Sequence, residues 1–409
     1  MREQFAEYSY HHALAHCTLD KMVDEMEEYF LYRWRVKMRN SRLGFRLLLL
    51  VALLYQIPKR WLFRFKNEQP VRRILIIHQL LLGDALMTTG LLAALRQRYP
   101  KAEITLAGPP FLANLYETQP YGVKYHPFTP KQWTHLFTLW NKGPFDQAYI
   151  LLDNRYSWTA LAVGCTKIIG YAGHSWLKDW PLNDIRTLPQ QVTSITELLI
   201  KLSGDQTPPP YSPQEWLVPK SPLPETVATP YVLLHVGAST PLKHWPDAYW
   251  QQLAADLSKL GYQPLWTGGP GEEPLIERID PKKQYPSLVG QLSIPQMWTL
   301  VEDATLLVCL DTGISHIAKH TFTPTVSLFG PGSPALAGVS TYFSAAPFIA
   351  IDANPHCRDQ TLFFKRSLPW VRQCKRSIQQ CPTPGACMQS ISYETVWQSC
   401  LHYLKINLG

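Results

Sequence analysis

Apolar runs of two kinds alternate along most of this chain, and the alternation is clearest at residues 72–100, RRILIIHQLLLGDALMTTGLLAALRQRYP. Positions 74–77 are continuously apolar and mostly β-branched, and the run stops at a polar His-Gln pair. A short turn carrying Gly83-Asp84 follows, after which Leu86, Leu91, Leu92 and Leu95 recur at helical spacing. The change of period predicts a buried strand, a tight turn and a helix, the opening unit of a βαβ fold. Further strands are expected at 103–108, 123–128, 146–153 and 166–171, with helical intervals between them, one near 111–117. Such alternation predicts an α/β domain over 71–203, with a parallel sheet covered on both faces.

Residues 204–230 break the pattern with TPPPYSPQEW and PKSPLPETVATP, a proline density that marks a linker between domains. A second α/β pattern then runs over 231–350. YVLLHVGAS reads as a strand and turn, DAYWQQLAADLSKLG as a helix, and YQPLWTGGPGEE as a strand with a glycine-rich turn. SLVGQLSIPQMWTLVEDA, TLLVCLDTGISHIAKHT and PTVSLFGPGSP continue it. Neither domain carries the G-x-G-x-x-G dinucleotide fingerprint, which argues against a dehydrogenase; the turn after the first strand is QLLLGD. Two Rossmann-like domains in tandem suit a nucleotide-sugar transferase.

The first seventy residues differ. Residues 20–29 read as an acidic helix. Beyond them, twelve Lys or Arg and a single acid, Glu68, lie between Arg33 and Arg73. The apolar heart of this block, 47–57, falls well short of the roughly 20 residues a membrane span needs. Trp34, Trp61, Phe63 and Phe65 are interleaved with the charges. That combination suits a helix lying in the headgroup region of an anionic leaflet. A basic helical hairpin packed on the protein, or an oligomer contact, is the alternative. Nothing downstream resembles a nucleic-acid module. The opening MREQFAEYSYHH has no apolar stretch of the signal-peptide kind, so a cytoplasmic protein with reduced thiols is expected.

Composition sharpens two points. With 46% apolar and 17% charged residues, the chain beyond the basic block should be globular. Of eight cysteines, Cys357, Cys374, Cys381 and Cys387 crowd one stretch. Their spacing is not the paired C-x2-C pattern of zinc ribbons, so a structural zinc or iron, reduced buried thiols and disulfides all stay open. A helix is expected over 392–404.

Candidate chemistry gathers at strand ends. Asp84 sits where open α/β sheets bind ligands; it is either a proton acceptor or an acid satisfying helix amides. In the second domain HVGASTPLKHWP offers Ser239, Thr240 and Lys243 to a phosphate, and TGGPGEE offers Glu272 to a ribose diol. DTGISH opens a helix with Asp311, Thr312, Gly313 and His316, and FGPGSP is a further glycine turn. Each has a bland reading alone; together they converge on a nucleotide-diphosphate pocket. There is no Asp-x-Asp motif, the commonest sign of metal-assisted sugar transfer. Lys243 and the helix start after Asp311 can stabilise a leaving diphosphate instead.

The segments ILIIHQLLLGDALMTTGLLAALRQRYP, HVGASTPLKHWP, WTGGPGEE and DTGISHIAKHTFTPTVSLFGPGSP, in this order and spacing, resemble glycosyltransferase family 9, the heptosyltransferases of lipopolysaccharide core synthesis. The resemblance implies the GT-B fold, with an acceptor domain first and an ADP-heptose domain second. It implies inverting transfer without a metal to a lipid A-linked core acceptor, at the inner face of the inner membrane. Asp84 would be the general base. Ser239, Thr240 and Lys243 would contact the donor's diphosphate or sugar, Glu272 its ribose, and Asp311, Thr312, Gly313 and His316 its phosphate and sugar side. The motif CMQSI matches a segment of many members that follows cysteines, which in some relatives bind iron. The last helix would cross back to the first domain. The first seventy residues lack a counterpart in the usual members, and Leu80–Leu82 replace small or hydroxylated residues. Another donor sugar, a protein acceptor, or a non-catalytic scaffold in envelope assembly are the competing readings.

Overall fold

A computed structural model describes residues 42–62, 70–173, 175–204, 206–338 and 340–405. The acidic helix expected at 20–29, and the aromatics Trp34, Phe63 and Phe65, lie outside the described residues. The described part begins with α1 (Arg42–Leu62).

Six parallel strands form the first sheet: β1 (Arg73–Ile77), β2 (Glu103–Gly108), β3 (Val123–Pro127), β4 (Gln147–Ile150), β5 (Lys167–Tyr171) and β6 (Asp184–Arg186). Their order is β3-β2-β1-β4-β5-β6. Because both faces are covered, β1 is apolar throughout rather than alternating. Ile74 and Ile76 join one core with α3 (Thr89–Arg98) and α7 (Ile195–Leu202), after α2 (Leu82–Leu86). Leu75 and Ile77 point the other way, into a core shared with α1, α4 (Trp133–Lys142) and α5 (Ser157–Ala162). A capping box of Ser194 and Glu197 starts α7. The segment 110–116 is a 3₁₀ helix, and α6 (Trp176–Asp179) is a single turn.

The second sheet has five parallel strands in the order β11-β10-β9-β7-β8. These are β7 (Tyr231–His235), β8 (Gln263–Thr267), β9 (Leu306–Leu310), β10 (Thr325–Phe329) and β11 (Phe348–Asp352). Its helices are α8 (Asp247–Lys259), α9 (Glu273–Ile279), α10 (Ile294–Glu302), α11 (Gly313–Thr321) and the short α12 (Pro334–Ala337). A two-stranded hairpin, β12 (Leu362–Phe363) and β13 (Arg366–Ser367), precedes α13 (Ala386–Gln389) and α14 (Tyr393–Leu404).

The proline-rich segment is packed, not loose. Tyr211 and Trp216 are fully buried, and Trp216 Nε1 donates to the Leu115 carbonyl at 2.9 Å. Through them the core around Ile74 and Ile76 runs on into Leu233, Leu265 and Leu307 of the second sheet. The last helix departs from expectation. Val396, Cys400 and Leu404 of α14 pack with Val232, Leu234 and Val326, so α14 covers the second sheet and does not return to the first domain. The element that does cross is the hairpin. Buried Arg366 donates to the first-domain carbonyls of Leu152 at 2.6 Å, Tyr171 at 2.7 Å and Ala172 at 2.6 Å.

Candidate active site

Both sheets reverse strand order at a switch point, between β1 and β4 in the first and between β7 and β9 in the second. Ligands of open α/β sheets bind at the carboxyl ends of strands at such points. Asp84 follows β1, Lys243 follows β7, and Asp311 follows β9, so the topology alone brings the three loops to one cleft.

Two glycines make the approach close. A Cβ on Gly83 would lie 2.9 Å from His316 Cδ2 and 3.1 Å from Gly313 Cα, and one on Gly313 would lie 3.2 Å from the Gly83 nitrogen. The starts of α2 and α11 therefore touch across the cleft, with Asp84 in the first turn of α2. Burial pushes the Asp84 carboxyl up to about 6, and the nearby Asp311 charge pushes the same way, against Lys243 and Lys375. Apolar Leu80, Leu151, Leu152, Ile195, Leu199 and Phe364 share a small cleft with it. A carboxylate held near neutrality beside a cleft can take a proton from a hydroxyl.

On the facing side, Lys243 Nζ is 2.9 Å from Asp311 Oδ2 and donates to the Asp311 carbonyl at 2.6 Å. A Cβ on Gly332, in the FGPGSP turn, would lie 2.1 Å from Asp311 Oδ2, so that glycine makes room for the carboxylate. Ser239 is exposed, and Thr240 caps a 3₁₀ turn over 241–243. Glu272 accepts from the amides of Ala238 at 2.9 Å and Gly269 at 2.6 Å, tying the loops after β7 and β8 together. Beside it a groove opens along Glu273, Ile276, Tyr285 and Val289. Thr312 precedes α11 with a buried hydroxyl that meets no partner among the described residues.

His316 stands in the first turn of α11, where that helix meets α2. It is buried against Gly83, and its carbonyl accepts from His320 Nδ1 at 2.8 Å. His320 Nε2 in turn lies 2.8 Å from Thr89 Oγ1 in the first domain. Burial drives the His320 pKa down to about 3, so the neutral ring donates from Nδ1 and leaves Nε2 an acceptor beside the Thr89 hydroxyl, which also donates to the Leu86 carbonyl at 2.6 Å. Sequence reasoning did not reach His320, Thr89, Arg366 or Phe364. Each is a lone residue far along the chain from its partner, and nothing local marks it.

Among the described residues, no three His, Cys, Asp or Glu side chains group closely enough to hold an ion. Cys357, Cys374, Cys381 and Cys387 are half-buried free thiols. Cys374 Sγ accepts from Arg376 at 3.8 Å, which takes it up as a hydrogen-bond partner. Cys387 lies near Cys357 and Cys381; burial raises its thiol, and their charges add to the rise.

Two parallel sheets meeting at their switch points over a carboxylate and a lysine define a GT-B chain. The chain belongs to glycosyltransferase family 9 (heptosyltransferase), whose model matches residues 141–357, just over half of it. Lipopolysaccharide heptosyltransferase 1 of Pseudomonas aeruginosa is 33% identical over 110 residues, 27% of this chain and 31% of that protein. The chain thus spans about a third of that relative's length in the match. Lipopolysaccharide heptosyltransferase 3 of Escherichia coli is 26% identical over 276 residues, covering 61% of this chain and 80% of the relative. The solved structure of E. coli ADP-heptose lps heptosyltransferase II superposes with a TM-score of 0.61 at 21% identity, over 81% of this chain and 98% of that one.

Proposed function

We propose that this chain transfers heptose from ADP-heptose to a lipid A-linked core saccharide, inverting the anomeric centre, at the cytoplasmic face of the inner membrane. The single observation that carries the reading is the position of the Asp84 carboxyl in the first turn of α2, where α2 meets the start of α11 beside the Lys243–Asp311 pair.

The chemistry follows from that arrangement. An acceptor hydroxyl gives its proton to the Asp84 carboxylate as its oxygen bonds to the anomeric carbon. On the opposite face the bond from that carbon to the diphosphate oxygen breaks, and ADP leaves. Negative charge grows on the leaving diphosphate. Lys243, the amides at the start of α11 and the Thr312 hydroxyl stand ready to meet it, so the step asks for no metal. Before the donor arrives Asp311 occupies Lys243, which keeps a half-buried ammonium paired. Ser239 and Thr240 extend this side toward the sugar. Glu272, at the mouth of the groove beside α9, is placed to meet the ribose, with the groove left for the base.

The test is ADP release from ADP-heptose with and without a heptose-free lipid A core acceptor, and NMR of the product's new linkage. Acceptor-dependent ADP release with inversion is the expected result. Turnover of a different nucleotide sugar in place of ADP-heptose would overturn the donor assignment.

A further inference from the structure

The first domain carries a surface that the transfer site does not use. Helix α1 buries one face, with Phe45, Leu49, Ala52 and Leu53, against α4, α5 and the sheet side bearing Leu75 and Ile77. Its opposite face presents Leu47, Leu50, Val51 and Leu54, spaced at i, i+3, i+4 and i+7. Leu54 is 67% exposed. A helix held to a domain by one face, with a second leucine stripe on the other, has more apolar surface than folding of the domain consumes.

Neighbouring helices of the first domain also carry exposed aromatics. Trp133 and Phe137 of α4, which packs on α1, are exposed. Trp176 of α6 is 79% exposed, and Trp180 just after it stacks on Trp158 of α5 at 5.1 Å between ring centroids. The charges on α1 are of one sign. Arg42, Arg46 and Lys59 are exposed on it, and the described helix carries no acidic residue. At 21 residues it is still not apolar enough to cross a bilayer; no described helix is.

We propose that this face of the first domain, built by α1, α4 and α6, docks in the headgroup region of an anionic bilayer. Leucines enter the acyl boundary, tryptophans take the interface, and the three cations meet lipid phosphates. Charge decides the occupant. A second copy of the chain would set these cations against themselves, whereas an anionic leaflet neutralises them.

The experiment is flotation of the full chain with phosphatidylcholine vesicles, with and without phosphatidylglycerol. It requires no turnover, so it stands or falls separately from the transfer reading. The chain is expected to float with the anionic vesicles, less so at high salt, and hardly at all with neutral ones. The double variant L50E/L54E should lower that partition at least tenfold, or about 1.4 kcal/mol, with an unchanged melting temperature. Trp176→Ala should weaken it in the same direction. Absence of binding to anionic vesicles, or binding indifferent to both variants, overturns the proposal. So does a dimer that L50E/L54E splits while vesicle binding stays the same.

Discussion

Asp84 faces two demands that pull apart. To act as a base it must be ionised, yet its surroundings favour the neutral acid. With its pKa near 6, the ionised fraction falls tenfold per pH unit below that value. The pH profile of kcat/KM should therefore rise with unit slope to about pH 6 and flatten above it. A profile flat down to pH 5 would detach the rate from this carboxyl. The same shift has a stability consequence of opposite sense. The folded state holds the proton more tightly than the unfolded one, whose value is near 3.8, so stability drops as pH rises through 3.8 to 6. Asp84→Asn removes the charge and should stabilise the fold at pH 7.5 by at most about 3 kcal/mol. That gain should vanish in melts below pH 4. A functional site that costs stability is the expected trade.

At the scale of elements, the close meeting of α2 and α11 is set by glycines. Gly83→Ala puts a methyl against Gly313 Cα and the His316 ring. Backbone cannot yield as a flexible side chain can, so the variant should lose about 1–3 kcal/mol in thermal or denaturant melts and lose activity with it. The β12–β13 hairpin is a second joint. Arg366→Met would strand the Leu152, Tyr171 and Ala172 carbonyls and should cost about 2–4 kcal/mol. Since Phe364 of the same hairpin shares the cleft of Asp84, the acceptor KM should rise more than kcat falls.

Which elements the sequence discloses has a physical reason. Buried parallel strands such as β1, β2, β7 and β9 are apolar on both faces, so they read as unbroken runs with sharp ends. The edge strand β6 has only Ile185 between Asp184 and Arg186, and that isoleucine is exposed, so no run marks it. The β11 edge strand follows a stretch of turns and is buried only in part. The site divides in the same way. Asp84, Lys243 and Asp311 stand in motifs beside strands and are legible. Arg366 and the His320–Thr89 contact arise only from how distant elements pack.

For the whole molecule, the two sheets share one core through Tyr211 and Trp216, so both switch points are held over a single cleft. The thiols report on that packing. Under native conditions a thiol reagent should modify Cys357, Cys374, Cys381 and Cys387 readily. Cys165, Cys309 and Cys400, which are buried, should react only after denaturation. Mass spectrometry of the labelled peptides checks the split. Protection of all four tail cysteines in the native chain would contradict the half-buried free thiols described above. The central claim concerns the cleft itself, and one measurement addresses it most directly. In acceptor-saturated turnover of ADP-heptose at pH 8, Asp84→Asn should lower kcat by about 10²–10⁴-fold, the usual worth of a positioned base. A kcat within threefold of the unsubstituted enzyme would contradict the assignment of Asp84 as the proton acceptor.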